Sequence, residues 1–320
     1  MNKISIAALT ALLSFGQHTI AQEYPAGPVR IVVPFPAGGG VDSMARLFAQ
    51  QLTPALGKQV VIENRAGANG MIGSEIVAKA PKDGYTLLVN GANFVTTPSL
   101  YKNVTYDPIN DYDPVSLLAH APNILVVHPS LPAKSVRDLI AFAKAHPNEV
   151  NYASSASGST PHLAAELFKT LTGTRLVHVP YRGTGPAITA IVSGEVSVMF
   201  MPALAALPYI RNQRLRALGV TTAERLPAMP ELPTVAEAGL KGYQSSQWYG
   251  VLAPKGTPAA VLGLLNSHAM KIMQSEGMKT RMKNGGSVAV GSTREAFARH
   301  LAVELDKWAK VIKASGARVD

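Results

Sequence analysis

The segment IVVPFPAGGGVDSMARLFAQQL, residues 31–52, begins as a buried strand and continues as an amphipathic helix. Between the two lie Pro34, Pro36 and three consecutive glycines at 38–40. The prolines stiffen the exit from the strand, and the glycines let another molecule approach the backbone closely. At such turns the free N–H groups and the dipole of a helix N-terminus favour negative charge. The segment therefore predicts an anion-binding turn in an α/β fold.

The alternation of short β-branched runs with helical patterns continues along the chain. The strand-like runs are VRIVV (29–33), QVVIE (59–63), YTLLV (85–89), NILVV (123–127), VNYAS (150–154), LVHVP (176–180), VSVMF (196–200) and RALGV (216–220). Strands that are apolar on both flanks and separated by helices indicate parallel sheets covered on both faces. The expected fold class is therefore α/β.

The number of strands predicts two lobes. Nine or ten strands in roughly 300 residues fit two modest sheets better than one wide sheet. We expect each lobe to be a mostly parallel sheet flanked by helices, and two strands, near 121–126 and 245–254, to form the hinge. The expected division is a first lobe of residues 22–123 and 248–320, with the terminal helices 258–276 and 293–314 packed on it, and a second lobe of residues 124–247.

Residues 1–21 have the pattern of a secretory signal peptide. Lys3 precedes an apolar run from 4 to 15, and a short polar segment ends at Ala21. The apolar run is too short to remain as a membrane anchor. We therefore expect cleavage near Ala21 and a periplasmic protein.

Composition excludes several classes of site. The chain contains no cysteine, which rules out disulfides, zinc-thiolate sites and cysteine nucleophiles. Its net charge is +10, but the basic residues are scattered and lack interleaved aromatics, so nucleic-acid binding is not expected. The positive field does favour anionic ligands. We expect no metal and no cofactor, and a chain that acts as a monomer.

Two further turns repeat the opening design in the second lobe. In YASSASGSTPHLAAELF (152–168) a strand ends in small hydroxyl residues, Thr160 can cap the helix, and Pro161 takes the first helical position. In VPYRGTGPAITAIVSG (179–194) Tyr181, Arg182 and two glycines precede Pro186 at a helix start. Each helix dipole is worth about 0.3–1 kcal/mol to an anion. Two or three converging on one cleft can hold a carboxylate without a salt bridge.

Six segments, in order, resemble the Bug-type receptors of tripartite tricarboxylate transporters. They are residues 24–46, 60–88, 97–101, 151–168, 178–187 and 248–258. These receptors are extracytoplasmic solute-binding proteins with a two-lobe, hinge-closing fold (type II periplasmic-binding-protein, or Venus-flytrap). The resemblance implies a receptor, not an enzyme, that captures a small organic carboxylate between its lobes and delivers it to integral-membrane permease subunits.

The resemblance also implies a binding site. The ligand carboxylate would lie between loops 35–42 and 154–160, held largely by main-chain N–H groups and ordered waters. Phe35 would wall the pocket, and VPYRG (179–183) would close its far side. Ala156 departs from the family pattern, because many relatives have glycine there. The expected ligand-binding residues are Phe35, Ala37, Gly38, Gly39, Gly40, Asp42, Asn90, Ser155, Ser157, Gly158, Ser159, Thr160, His162, Tyr181, Arg182 and Gly183.

Several of these residues have two interpretations. Asp42 either caps its helix or contacts the ligand, and Arg182 either binds a second carboxylate or forms an interlobe salt bridge. His162, in the first helical turn, is a candidate ligand contact, and Asn90, at the end of a strand, is a candidate donor.

Two other functions are open. A periplasmic ligand sensor that signals to a membrane receptor kinase would use the same two lobes. An exported hydrolase is less favoured, because the chain lacks the G-x-S-x-G, S-x-x-K and H-E-x-x-H motifs.

Overall fold

The computed structural model describes residues 24–181 and 183–316. The predicted signal peptide, residues 1–21, and the candidate Arg182 lie outside the described residues. Within them, every helix is too short or too polar to cross a bilayer.

The described residues form ten strands and ten α-helices. The strands are β1 (Val29–Val33), β2 (Val60–Asn64), β3 (Thr86–Gly91), β4 (Tyr112–Val127), β5 (Asn151–Ser154), β6 (Val177–Pro180), β7 (Val198–Pro202), β8 (Arg216–Val220), β9 (Ser246–Pro254) and β10 (Val288–Ala289). The helices are α1 (Gly40–Leu56), α2 (Met71–Ala78), α3 (Asn93–Leu100), α4 (Val136–Ala145), α5 (Thr160–Thr172), α6 (Thr184–Ser193), α7 (Ala203–Arg211), α8 (Ala259–Gln274), α9 (Glu276–Asn284) and α10 (Arg294–Ser315).

Two groups of parallel strands are joined by two antiparallel ones. The strand order is β2-β1-β3-β9-β4-β7-β5-β6, and β8 and β10 also pair with β4. Strands β1, β2 and β3 are mutually parallel and belong to the first lobe, and β5, β6 and β7 are parallel and belong to the second. The predicted α/β fold with two lobes is thereby confirmed.

Strand β4 passes from one lobe to the other. Its residues Tyr112 to Pro122 pair with β9, whereas residues from Asn123 to Val127 pair with β7 and β8. The exchange of partners falls at Pro122, a residue that has no N–H to donate to a ladder. We call residues 121–123 of β4 together with residues 246–249 of β9 the hinge ribbon.

The C-terminal helices pack on more than the first lobe. Helix α8 contacts α1 and β4, but α10 contacts both α3 and α5, and α5 belongs to the second lobe. Both terminal helices were expected on the first lobe; α10 contacts that lobe through α3 and also reaches α5 of the second. Its apolar side buries Phe297, Leu301 and Trp308 in a core that extends into both lobes.

The sequence interpretation missed α9 and β10. The helix expected over 258–276 corresponds to α8, which ends at Gln274. A second helix follows it, and the Ser275 hydroxyl accepts a bond from Met278 N at 3.3 Å. This cap starts α9, which leads through the turn at 285–287 to β10.

Candidate functional site

A cavity of about 470 Å³ lies where the two lobes meet the hinge ribbon. The first residues of five helices line it: Gly40 of α1, Asn93 of α3, Thr160 of α5, Thr184 of α6 and Ala203 of α7. None of these five helix starts has a side-chain cap. Of the helices that begin elsewhere, hydroxyls cap α4, α9 and α10, whereas α2 and α8 have no side-chain cap. Uncapped N–H groups and five helix dipoles therefore converge on this cavity.

The described cavity lining contains no charged side chain. Its polar members are Asn93, Asn123, Ser155, Ser159, Thr160, Thr184, Gln247, Tyr249 and Ser287. Among the described lining residues, attraction for an anion would therefore come from helix N-termini rather than from lysine or arginine side chains. Such a site suits a small anion that accepts several N–H bonds.

In the first lobe, the glycine loop (residues 34–42) is held by Asp42. The Asp42 carboxylate accepts bonds from Gly38 N, Arg46 Nε and Asn64 Nδ2, each at 2.9 Å. The bond from Arg46 is the main reason that the pKa of Asp42 falls to about 2. The predicted capping role is wrong in detail, because the helix begins at Gly40 and Asp42 lies inside its first turn. Asp42 instead fixes the loop before the helix.

In the second lobe, the serine loop (residues 154–162) is held by His162. Gly158 N donates to His162 Nδ1 at 2.9 Å, and the buried ring stacks on His178 with centroids 4.0 Å apart. Burial lowers the pKa of His162, and the accepting Nδ1 requires the neutral ring. Thr160 does not cap α5 as predicted, because it is the first helical residue, and its hydroxyl donates to Gln247 Oε1 at 3.0 Å.

The third turn supports the serine loop from behind. Gly183 N donates to Ser155 O at 2.9 Å, and the Tyr181 hydroxyl donates to Glu195 Oε1 at 2.6 Å. Burial, reinforced by Glu195, raises the pKa of Tyr181 to about 12. Helix α6 begins at Thr184, so Pro186 is not its first residue as predicted.

The structure brings only part of the predicted set to the cavity surface. Gly40, Ser155, Ser159 and Thr160 line it. Asn90 does not, because its amide is buried in the first lobe, where it donates to Ser74 Oγ and accepts from Gly91 N. The remaining described candidates belong to the three turns but not to the lining: Phe35, Ala37, Gly38, Gly39, Asp42, Ser157, Gly158, His162, Tyr181 and Gly183.

The hinge ribbon supplies lining residues that are absent from the expected set. Asn123, Gln247 and Tyr249 all face the cavity. A Cβ at Gly40 would lie 2.5 Å from the Tyr249 hydroxyl oxygen, so any larger residue here would force the hinge tyrosine to move. The turn at 285–287 also lines the cavity and was not predicted. Side chains alternate between the two faces of a strand along 121–123 and 247–249. This alternation could have assigned residues to the cavity face only if the pairing of the two strands were already known.

The geometry defines a class of protein. Two α/β lobes are joined by a two-strand ribbon, and a cavity rich in uncapped helix N-termini lies between them. This is the architecture of a solute-binding protein for small anions. The described residues contain no group of three histidine, aspartate or glutamate side chains placed to hold a metal ion.

The chain belongs to the tripartite tricarboxylate transporter family receptors, since residues 44–317 match that family's profile. Protein BugT of Bordetella pertussis is 38% identical over 301 residues, which cover 93% of this chain and 92% of BugT. Among solved structures, R. palustris Rpa4515 with adipate is 39% identical with a TM-score of 0.77, covering 92% of this chain and all of that one. MatC of Rhodopseudomonas palustris with bound malate is 31% identical with a TM-score of 0.73, covering 90% of this chain and all of MatC. The predicted resemblance to Bug-type receptors is confirmed.

Proposed function

We propose that this protein is an extracytoplasmic receptor that captures a small organic carboxylate between its lobes and delivers it to the permease subunits of a tripartite tricarboxylate transporter. One observation carries the proposal: five uncapped helix N-termini, drawn from both lobes, line a single cavity without a described charged side chain. Each contributes about 0.3–1 kcal/mol to a bound anion.

The proposed mechanism is closure about the hinge ribbon. Residues 22–123 and 248–320 would move as the first lobe and residues 124–247 as the second. The α1 N-terminus would approach those of α5, α6 and α7, and their N–H groups would surround the carboxylate. Because closure removes water from the cavity, each charge-assisted bond becomes stronger, and the bound anion favours the closed lobes. The closed shape is what a permease would recognise.

The bound acids of two relatives support the size of the proposed ligand. Rpa4515 is described with adipate and MatC with malate, both small acyclic dicarboxylates. A cavity of about 470 Å³ accommodates an acid of that size in this chain. We further propose that the protein is exported after cleavage near Ala21, acts as a monomer and releases its ligand unchanged.

A thermal-shift screen of the mature chain against mono-, di- and tricarboxylates tests the proposal. We expect one group of acids to raise the melting temperature in proportion to the logarithm of ligand concentration. Native mass spectrometry of freshly purified protein should identify a co-purifying acid, and chromatography after long incubation should recover that acid intact. Absence of stabilisation by every acid, or conversion of the acid to a product, would contradict a receptor function.

A further inference from the structure

A groove of about 510 Å³ lies next to the ligand cavity, between α7 and the end of α9, and Leu204 lines both. The α7 wall belongs to the second lobe, because Leu207 packs in a core with residues of β7. The α9 wall belongs to the first lobe, because Met282 packs in a core with residues of α1 and β1. The groove therefore spans the boundary between the lobes, and the distance between its walls depends on the angle between them.

The floor of this groove is apolar and open to solvent. Leu204, at the start of α7, is 56% exposed. The other apolar lining residues are Leu207, Pro208, Pro227 and Ala228, and both prolines are exposed. A Cβ at Gly286 would lie 2.8 Å from Leu204 N, so the turn at 285–287 presses against the same end of α7. Exposed apolar surface bordered by polar side chains is typical of a protein interaction site.

Each wall of the groove carries one cation. Arg211 lies in the last turn of α7 and Lys283 in the last turn of α9, and both side chains are exposed. Neither cation forms an ion pair with a carboxylate of the described residues, and the described lining of the groove contains no acidic side chain. A basic residue at a helix C-terminus complements the helix dipole, but that effect does not explain why both cations line one groove. The groove matches an apolar group that has a carboxylate on either side.

We propose that this groove docks an extracytoplasmic loop of the permease, in which an apolar side chain fills the floor and flanking carboxylates pair with Arg211 and Lys283. The inference rests on the proposed function, which supplies a membrane partner for the closed receptor. A loop that reaches both cations needs one particular distance between the walls, so it binds one angle of the lobes better than the others. The groove thereby reports ligand capture to the permease.

Uptake by cells of the native host measures docking, when the gene for this chain is deleted and each variant is supplied in its place. The substrate is the radiolabelled acid that co-purifies with the wild type. We expect the double variant Arg211→Glu, Lys283→Glu to lower the rate of uptake about tenfold, because both attractions become repulsions. Calorimetry should find its Kd for the acid within about twofold of wild type, since neither residue lines the ligand cavity.

The matched control is the double variant Lys144→Glu, Lys271→Glu. These exposed lysines lie in the last turns of α4 and α8, one in each lobe, so the control makes the same change in charge at equivalent helix positions. Neither lysine lines the groove. The control should leave uptake within about twofold of wild type.

Cross-linking identifies the occupant of the groove directly. The chain contains no cysteine, so Asn284→Cys, in the groove lining, provides a single thiol for a benzophenone maleimide. Illumination of the labelled protein with native-host membranes should join it to a permease subunit, identified by mass spectrometry. The yield should be higher with the co-purifying acid than without it, and the same label at Lys271→Cys should give no such product.

Each result has a definite consequence. Uptake at the wild-type rate by the Arg211→Glu, Lys283→Glu variant, an equal loss in the control pair, or cross-links to lipid alone would overturn the docking site. Equal cross-linking with and without the acid would overturn its role in reporting capture. A wild type that binds no acid, or that binds an acid the cells take up equally well without this chain, would overturn the proposed function instead.

Discussion

In both the glycine loop and the serine loop, a glycine with positive φ donates its N–H to a side chain four residues further along the chain. Gly38, with φ of 87°, donates to Asp42, and Gly158, with φ of 76°, donates to His162. The backbone conformation and the hydrogen-bond pattern are the same in the two loops. The acceptor, however, is an ionised carboxylate in the glycine loop and a neutral imidazole in the serine loop.

The difference matters for a site that binds anions. A carboxylate in the first turn of a helix competes with an anionic ligand for the same positive dipole. In the glycine loop, Arg46 pairs with Asp42 and offsets that negative charge. The serine loop needs no such partner, because neutral His162 leaves the α5 dipole free. The two loops therefore respond differently to acid. Asp42, with a pKa of about 2, stays ionised in mild acid and keeps its bond from Gly38 N. Burial lowers the pKa of His162, but the ring becomes protonated once the pH falls below that pKa, and it can then no longer accept from Gly158 N.

The largest expected effect is the loss of stability in mild acid. Burial lowers the pKa of His120, His162, His178 and His300, to about 4 for His120 and His178. Because the unfolded chain takes up these protons near its ordinary pKa of about 6.5, stability is lost as the pH falls from there toward 4. From His120 and His178 alone, we expect the free energy of unfolding to fall by roughly 3 kcal/mol between pH 6.5 and 5, and His162 and His300 act in the same direction.

Urea denaturation at pH 7, 6 and 5 measures this loss, and hydrogen exchange compares the two loops. The Gly158 amide should lose protection at pH 5 more than the Gly38 amide does. Stability that is flat over this range, or equal changes in the two amides, would remove the distinction between the loops.

Asp42→Ala should give the largest effect of a single substitution. It removes the buried acceptor of Gly38 N and one of the acceptors of both Asn64 Nδ2 and Arg46, which keep their bonds to Phe35 O and Asn64 Oδ1. We expect a destabilisation of about 3 kcal/mol in urea denaturation at pH 7 and weaker ligand binding. Asp306→Ala, which removes an exposed pair with Lys310, is the control and should cost less than about 0.5 kcal/mol. A value for Asp42→Ala close to that control would refute its role in fixing the loop.

His162→Phe should have a smaller effect on stability than either mild acid or Asp42→Ala. The ring still stacks on His178, but Gly158 N loses a neutral acceptor. We expect a loss of about 1–2 kcal/mol at pH 7 and a weaker dependence of stability on pH below 6.5. His146→Phe, at a partly exposed position, should leave both properties within about 0.5 kcal/mol of wild type. A loss larger than that of Asp42→Ala would reverse the proposed ranking of the two loops.

The sequence predicted the strands well because their apolar runs are continuous. VRIVV was expected at 29–33 and forms β1 over the same residues, and RALGV forms β8. Helix starts were less accurate: α6 begins at Thr184, two residues before Pro186, and α1 begins at Gly40, before the residue that was expected to cap it. In both cases a glycine lies in the first turn of the helix. Because glycine has no conformational preference that distinguishes helix from loop, the sequence did not indicate where the helix begins.

The sequence predicted the turns that surround the candidate site, but not which of their residues line the cavity. Gly40, Ser155, Ser159 and Thr160 were expected and line the cavity. Asn90 was expected from its place at a strand end, but its side chain faces Ser74 inside the first lobe. The hinge residues Asn123 and Gln247 could not be assigned, because their common face depends on pairing between segments about 125 residues apart.

The sequence by itself determined the α/β class, the glycine- and serine-rich turns before helices, and membership of a receptor family. These properties depend on local patterns, in which apolar period, proline position and glycine content act within a few residues of one another. Only the tertiary structure decided which helix N-termini meet, which side chain holds each loop, and which face of the hinge ribbon forms the floor of the cavity. Those outcomes depend on strand pairing and on side-chain contacts between distant segments, which local preference does not specify.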